Sequence, residues 1–254
     1  MDKSVNTFYN SKGWLYDSEG NFLDALAFED LRKCSYIYLK NNRLRLMKYF
    51  PNKGDLLLDC ASGPIQYAEY LEYSKNYNKR ICVDLSKDAL DIAKSRDPEK
   101  IETIHGNILN LNLGSKKFKS ILCIHTLYHI QKKHQSLVIN KFKNHIESDG
   151  TILIIYSNPN FLLEKIKKIF KVFRSKDPEF TFERLTISEV KIAFPKAELI
   201  PFRFLSGEDM RRILPNNKIT KIILVLINWI EPLLPLFLVQ YYLIRFENNL
   251  KKIA

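Results

Sequence analysis

Short apolar runs alternate with longer amphipathic stretches over most of this 254-residue chain. Leu56-Leu57-Leu58, Ile81-Cys82-Val83, Ile121-Leu122-Cys123-Ile124 and Ile152-Leu153-Ile154-Ile155 are unbroken runs, as expected of strands buried on both faces of a parallel sheet. Strands are predicted near 55–60, 79–84, 101–105, 118–124 and 150–157, with Gly150 marking the turn into the fifth. Helices are predicted near 65–75, 86–95, 133–147 and 160–173, and Leu23 to Tyr49 also reads as helical. After a loop at Arg174–Pro178 come a sixth strand within 197–205, a strongly apolar stretch at 219–239 and a last strand at 241–246. The alternation specifies an α/β fold: a doubly wound, mostly parallel seven-stranded sheet with an N-terminal helical segment and a C-terminal apolar helical insertion. The divisions expected are an N-terminal helical lid at 1–50, a nucleoside-binding domain at 51–205, the insertion at 206–239, and an edge strand and tail at 240–254.

Chemistry gathers where two of these strands end. Leu58 is followed by Asp59-Cys60-Ala61-Ser62-Gly63-Pro64, and the next strand ends in Asp84. A tight turn lets backbone approach a ligand, and a carboxylate at the second strand end can accept hydrogen bonds from both ribose hydroxyls. The turn holds a single glycine and an acid at its head, unlike the G-x-G-x-x-G that seats a pyrophosphate. A carboxylate there suits a cofactor carrying an amino group and disfavours a nicotinamide dinucleotide.

At these residues the chain resembles the class I S-adenosylmethionine-dependent methyltransferases. Asp59, Ala61, Gly63 and Ile65 fall on the family's acid and alternating glycines, with one glycine kept. Asp84 with Leu85-Ser86 matches the second motif. Ile104-His105-Gly106-Asn107-Ile108 is similar to the third, and Ile121 to Ile130 to the strand-end loop that faces the acceptor. The resemblance implies S-adenosyl-L-methionine as cofactor, bound by Asp59, Ala61, Ser62 and Gly63 near the methionine part. Asp84 and Leu85 are then expected at the ribose, Asn107 and Ile108 at the adenine, and His125 beside them. It also implies that the final two strands form an antiparallel hairpin, and that an aromatic N-terminal segment folds over the cofactor. Tyr9, Trp14 and Tyr16 are candidates to close the pocket, and Tyr128 and Tyr156 to line the acceptor side.

Methyl transfer to a hydroxyl benefits from a general base, and histidine has a suitable pKa. His129, in the loop after the fourth strand, is the first candidate and His125 the second; a packed histidine with no proton to move is the plain alternative for each. No Asn-Pro-Pro-Tyr tetrad of nucleic-acid amino-methylating enzymes occurs. No metal-ligand spacing occurs either, so no metal is expected. The acceptor expected is a small or lipid-linked metabolite, methylated on oxygen.

Composition narrows this further. Apolar content of 46% belongs to a globular chain, and the four cysteines form no C-x-x-C pair, so reduced buried thiols are expected. A net charge of +12 admits a nucleic-acid partner, an anionic lipid or phosphorylated substrate, or a generally solvated basic surface. Without arginine-rich or aromatic-basic tracts, nucleic acid is disfavoured. An RNA methyltransferase and a degenerate fold that binds a nucleoside or partner without catalysis remain alternatives. The polar Met1–Asn10 segment has no signal-peptide pattern, so a cytoplasmic protein is expected. The 219–239 stretch is long enough to span a bilayer, but Glu231, Pro232 and Pro235 argue against spanning. A buried pair of cap helices or a homodimer contact is the first reading. Peripheral membrane docking, helped by Arg211, Arg212, Lys218 and Lys221, is the second.

Overall fold

The computed structural model describes residues 7–9, 11–170 and 182–248. Its centre is a seven-stranded sheet in the order β3-β2-β1-β4-β5-β7-β6. The strands are β1 (Gly54–Cys60), β2 (Tyr77–Asp84), β3 (Ile101–His105), β4 (Phe118–Ile124), β5 (Ile146–Ser157), β6 (Glu198–Arg203) and β7 (Tyr241–Glu247). The first five are parallel; β7 inserts antiparallel between β5 and β6. Neighbouring residues of one strand feed opposite cores. Leu58, Ile121 and Ile152 face one layer, Leu57, Leu122 and Leu153 the other, which is why the runs are unbroken.

The α-helices that accompany the strands include α1 (Leu23–Phe28), α2 (Tyr36–Arg45), α3 (Lys87–Arg96), α4 (Lys132–His145), α5 (Leu162–Phe170), α6 (Ile187–Ala193), α7 (Gly207–Ile213) and α8 (Lys218–Ile230). The predicted helix at 65–75 is instead a 3-10 turn, Ala68–Ser74. The chain passes through a left-handed conformation at Ile65, which delays helix entry. Beyond it Tyr67, Tyr70 and Tyr73 recur every third residue. Their rings follow one another at 5.6 and 5.4 Å, as the eclipsed side chains of a 3-10 turn require.

The single helix expected over 23–49 is broken between Phe28 and Tyr36. There the Asp30 carboxylate accepts from the backbone and guanidinium of Arg32, and the Ser35 hydroxyl donates to the Asp30 carbonyl. Such local side-chain bonds compete with the helical ladder. The loop expected at Arg174–Pro178 lies outside the described residues.

The apolar insertion is α8 followed by two 3-10 turns, Glu231–Leu233 and Leu236–Leu238. Glu231 is fully buried and ties this unit to α2 and β6. It accepts from the Tyr38 hydroxyl, from Asn42 Nδ2 at 2.9 Å, from Arg45 at 2.7 Å and from the Phe204 amide at 2.6 Å. A buried carboxylate survives only with such partners. The expected buried pair of cap helices is corrected: Thr220 and Leu224 pack inward, but the opposite face of α8 is solvent-exposed. Among the described residues no helix is long and apolar enough to cross a membrane.

Candidate active site

Strand register brings the predicted residues to one edge. Cys60 lies opposite Val83 and Cys123, and Asp84 opposite His105, so the ends of β1 to β4 open on the same side, at the point where strand order reverses. Ligands of open α/β sheets bind there.

The turn after β1 has an unusual backbone. Ala61, Gly63 and Ile65 all have positive φ, at 55°, 55° and 51°. Glycine takes this region freely, whereas a β-branched residue does so only under strain. Two of the three positions therefore carry a side chain in a conformation that glycine takes freely. Strain of this kind persists where surrounding structure imposes it, most often at functional sites.

Asp84 holds the turn from the next strand. One carboxylate oxygen accepts from the Gly63 amide at 2.8 Å and the other from the Ser86 amide at 2.9 Å. Burial raises the Asp84 pKa against those amides, which favour the charged form. Each oxygen keeps a lone pair for a further donor. Beside it, Ser62 donates its amide to the Val83 carbonyl, and Leu85 accepts at its carbonyl from the His105 ring. Asn107 uses its side-chain oxygen to accept from the Leu109 amide at 3.0 Å, and Ile108 is buried in the core.

Asp59 is a correction. Its carboxylate meets the guanidinium of Arg80 at 2.5 and 3.1 Å, and both residues are almost wholly buried. Burial alone would lower the Arg80 pKa, but the facing carboxylate more than reverses this and raises it. The acid at the head of the turn therefore neutralises a strand arginine rather than standing open to a ligand amine. An arginine inside the apolar run Arg80-Ile81-Cys82-Val83 was the available sign of a buried carboxylate partner.

The N-terminal segment lies over the turn. A Cβ added to Gly63 would stand 2.9 Å from the Trp14 ring, so only glycine fits beneath it. Tyr9 packs against Trp14 with ring centroids 5.1 Å apart and donates its hydroxyl to Asp24 at 2.9 Å. Burial raises the Tyr9 pKa, assisted by Asp24, and burial raises Asp24 itself to about 7. Tyr16 stacks on Phe22 but stays more than half exposed, so it points outward rather than closing the pocket.

A small cavity of about 20 Å³, room for one water, lies among α2, the tyrosine turn and the ends of β4 to β6. Glu29, Arg43, Tyr70, His125 and Arg203 line it. Glu29 and Arg203 form a two-pronged ion pair at 3.0 Å for each contact, and the Arg43 guanidinium lies 3.8 Å from the centre of the Tyr67 ring. Glu29, Arg43 and Arg203 were not evident in the sequence, because only the fold brings them together.

His125, with φ of 54°, projects from the end of β4 against Tyr241 at 4.5 Å. Burial, then the Arg203 charge, push its pKa down to about 3, so the ring is neutral at ordinary pH. His129 stacks on Tyr128 at 4.9 Å in the turn that follows. Tyr156 is corrected: it is wholly buried, donates to Gln135 at 2.8 Å and accepts from the Leu185 amide at 2.7 Å. Its strand neighbour Ile155 lines the cavity instead.

Among the described residues, Trp14 Nε1, Gln66 Nε2, Tyr67 Oη and His125 Nδ1 are buried polar atoms with no partner. Buried polar groups in folded proteins are overwhelmingly satisfied, so each of these atoms is open to a ligand or water.

Residues 58–154 match the family model described as the methyltransferase domain. Over that segment the chain carries a methyltransferase domain, and its fold is that of the class I, Rossmann-like methyltransferases. The chain is similar in fold to magnesium protoporphyrin IX methyltransferase from Synechocystis PCC 6803, solved with bound S-adenosylhomocysteine. Identity is 11%, covering 97% of this chain and 99% of that one, with a TM-score of 0.59. A methyltransferase from Archaeoglobus fulgidus is 18% identical over 82% of this chain and 92% of that one, at a TM-score of 0.56. A possible histamine N-methyltransferase from Thermotoga maritima is 16% identical over 85% and 90%, at 0.54. No curated protein sequence matches the methyltransferase.

Proposed function

We propose that this enzyme transfers a methyl group from S-adenosylmethionine to an oxygen of a small or lipid-linked metabolite, such as a sugar or polyketide. The observation that carries the reading is the turn at Ala61, Gly63 and Ile65, held in a glycine-like conformation against the Asp84 carboxylate. The residues fit the donor: Asp84 and Leu85 for the ribose, Asn107 and Ile108 for the adenine, the Ala61-Ser62-Gly63 backbone for the methionine part. The unpartnered Trp14 indole N–H supplies a donor to the carboxylate of that part, while the Asp59 carboxylate is taken up by Arg80.

When bound, the donor supplies an electrophilic methyl group. The protein aligns the acceptor and excludes water, and alignment alone can supply much of the rate. Tyr9 and Trp14 cover the donor side; Tyr128 faces the acceptor. His129 is the proposed general base. His125, neutral and with a pKa of about 3, is too weak a base at ordinary pH and serves as a hydrogen-bonding partner of the acceptor.

Calorimetry with S-adenosylmethionine and S-adenosylhomocysteine, alongside Asp84→Ala, tests the donor site. Micromolar binding lost in the variant, with melting preserved, is the expected outcome; no binding of either nucleoside by the native chain defeats the proposal. One observation favours a second reading, a nucleoside- or partner-binding protein without transfer: Trp14 lies directly on Gly63. Donor binding without methyl transfer to any acceptor in a sugar and lipid-linked glycan screen would favour it.

A further inference from the structure

Alpha-helix α8 presents its apolar side outward. Ile219, Ile222, Leu226 and Trp229 follow one another at helical spacing, and Leu233 and Phe237 continue the surface into the 3-10 turns. Trp229 and Leu233 are 79% and 84% exposed, and Ile219 67%. Isolated exposed apolar residues are ordinary, but a continuous face of large ones marks an interaction surface. Hydrophobic burial did not place this face: the inward side is anchored by Thr220, Leu224 and the Glu231 network.

The charges around the face select its occupant. Lys218 and Lys221 are exposed on the same helix, and the only acid from 218 to 238, Glu231, is wholly buried. A two-fold contact between copies must complement itself, and this face offers its lysines no exposed acid. An anionic lipid surface complements both halves, taking the apolar side chains into the acyl boundary and the lysines among the headgroups. Trp229 has the amphipathic ring favoured at that boundary. The helix is 13 residues, about 20 Å, against roughly 30 Å for a hydrocarbon core. Pro232 and Pro235 end it, so it can lie in the interface but not cross.

We propose that the outer face of α8 and the turns after it dock the protein on an anionic membrane surface. The docking does not depend on which acceptor is methylated. A lipid-linked acceptor would be found at such a surface, and Glu231 ties the docking unit to Asn42, which lines the small cavity beside His125.

Co-sedimentation of the full chain with phosphatidylcholine vesicles, with and without phosphatidylglycerol, tests the proposal, with sedimentation velocity reporting the oligomeric state. Binding is expected only where phosphatidylglycerol is present, and is expected to weaken at high salt. Trp229→Ala combined with Leu233→Ala should lower the partition by at least about tenfold. Both residues are exposed, so melting and donor affinity should not change. Lys218→Gln and Lys221→Gln should each lower it by about fivefold. Absence of vesicle binding, or binding indifferent to these variants, overturns the proposal. So does a stable dimer that Trp229→Ala and Leu233→Ala dissociate, which would assign the face to a second copy. Donor calorimetry on the same variants keeps failure of docking separate from failure of the methyltransfer reading.

Discussion

Removing the Asp59 carboxylate should damage folding rather than donor recognition. Asp59 and Arg80 are 3% and 2% exposed, with the closest approach at 2.5 Å. Opposite charges about 3 Å apart attract by roughly 5 kcal/mol at the effective dielectric of protein sites. Asp59→Ala removes that attraction and strands a buried guanidinium, which retains only the Tyr70 carbonyl as a partner. The expected loss is about 3–5 kcal/mol, a large share of the roughly 5–15 kcal/mol that holds a domain together. Replacing both partners by apolar residues of similar volume, Asp59→Leu with Arg80→Met, leaves no orphaned charge. It should recover most of the stability, within about 2 kcal/mol of native. Chemical denaturation of the single and double variants measures the coupling, and calorimetry with S-adenosylhomocysteine measures the donor site in each. The double variant should bind the nucleoside within a few-fold of native. A stably folded double variant with no nucleoside binding would refute the assignment and return Asp59 to the ligand shell.

Ala61→Gly should stabilise the protein by about 0.5–1 kcal/mol, since relief of a left-handed alanine outweighs the added chain entropy of glycine; a lowered melting temperature would show that the turn is not held as described. The strap over the donor site should loosen with rising pH. Asp24 titrates at about 7 in the folded chain and at 3.8 ordinarily, so between those values only the folded state keeps the proton and stability falls as pH rises. The ceiling is roughly 4 kcal/mol. Protection of the amides at residues 13–25, taken relative to their base-catalysed intrinsic exchange rates, should therefore be greater at pH 5 than at pH 8, a difference that Asp24→Asn abolishes; equal protection in the native chain contradicts it. His125 has the opposite sign. Its pKa drops from 6.5 to about 3 on folding, so the unfolded chain gains a proton that the folded chain refuses, and stability is lost as pH falls through that window. His125→Asn, which tolerates the same left-handed backbone, should flatten the melting curve between pH 6.5 and 4; an unchanged slope would mean that the ring is solvated.

What could be read in advance was set by strands that hide both faces. Leu56 to Cys60 and Ile121 to Ile124 can be little else, because each apolar side chain finds a core whichever way it points. Element type was hardest to read where local geometry defies residue preference. Ile65 belongs to a residue class that avoids positive φ, so nothing in its identity announced that the chain would turn there and replace a helix by a 3-10 turn. The three-residue spacing of Tyr67, Tyr70 and Tyr73 was the visible sign. Charge pairing was illegible for a different reason. Glu29 and Arg203 are 174 residues apart in sequence, and Asp59 meets Arg80 only because β1 and β2 lie side by side.

Side chains at two glycine-like positions of the turn show what the site requires of its backbone. An alanine and an isoleucine in the left-handed region cost on the order of 1–2 kcal/mol each. That cost is met by tertiary contacts: Ile65 is wholly buried against Cys82, Leu90 and Ile101, and the Asp84 carboxylate fixes the Gly63 amide between the two strained positions. Gly63 alone lies under an aromatic ring with no room for a Cβ. The two positions that tolerate a side chain have one, and the position that cannot does not. This is the distribution expected when the contour of the turn, rather than its flexibility, is what the site requires.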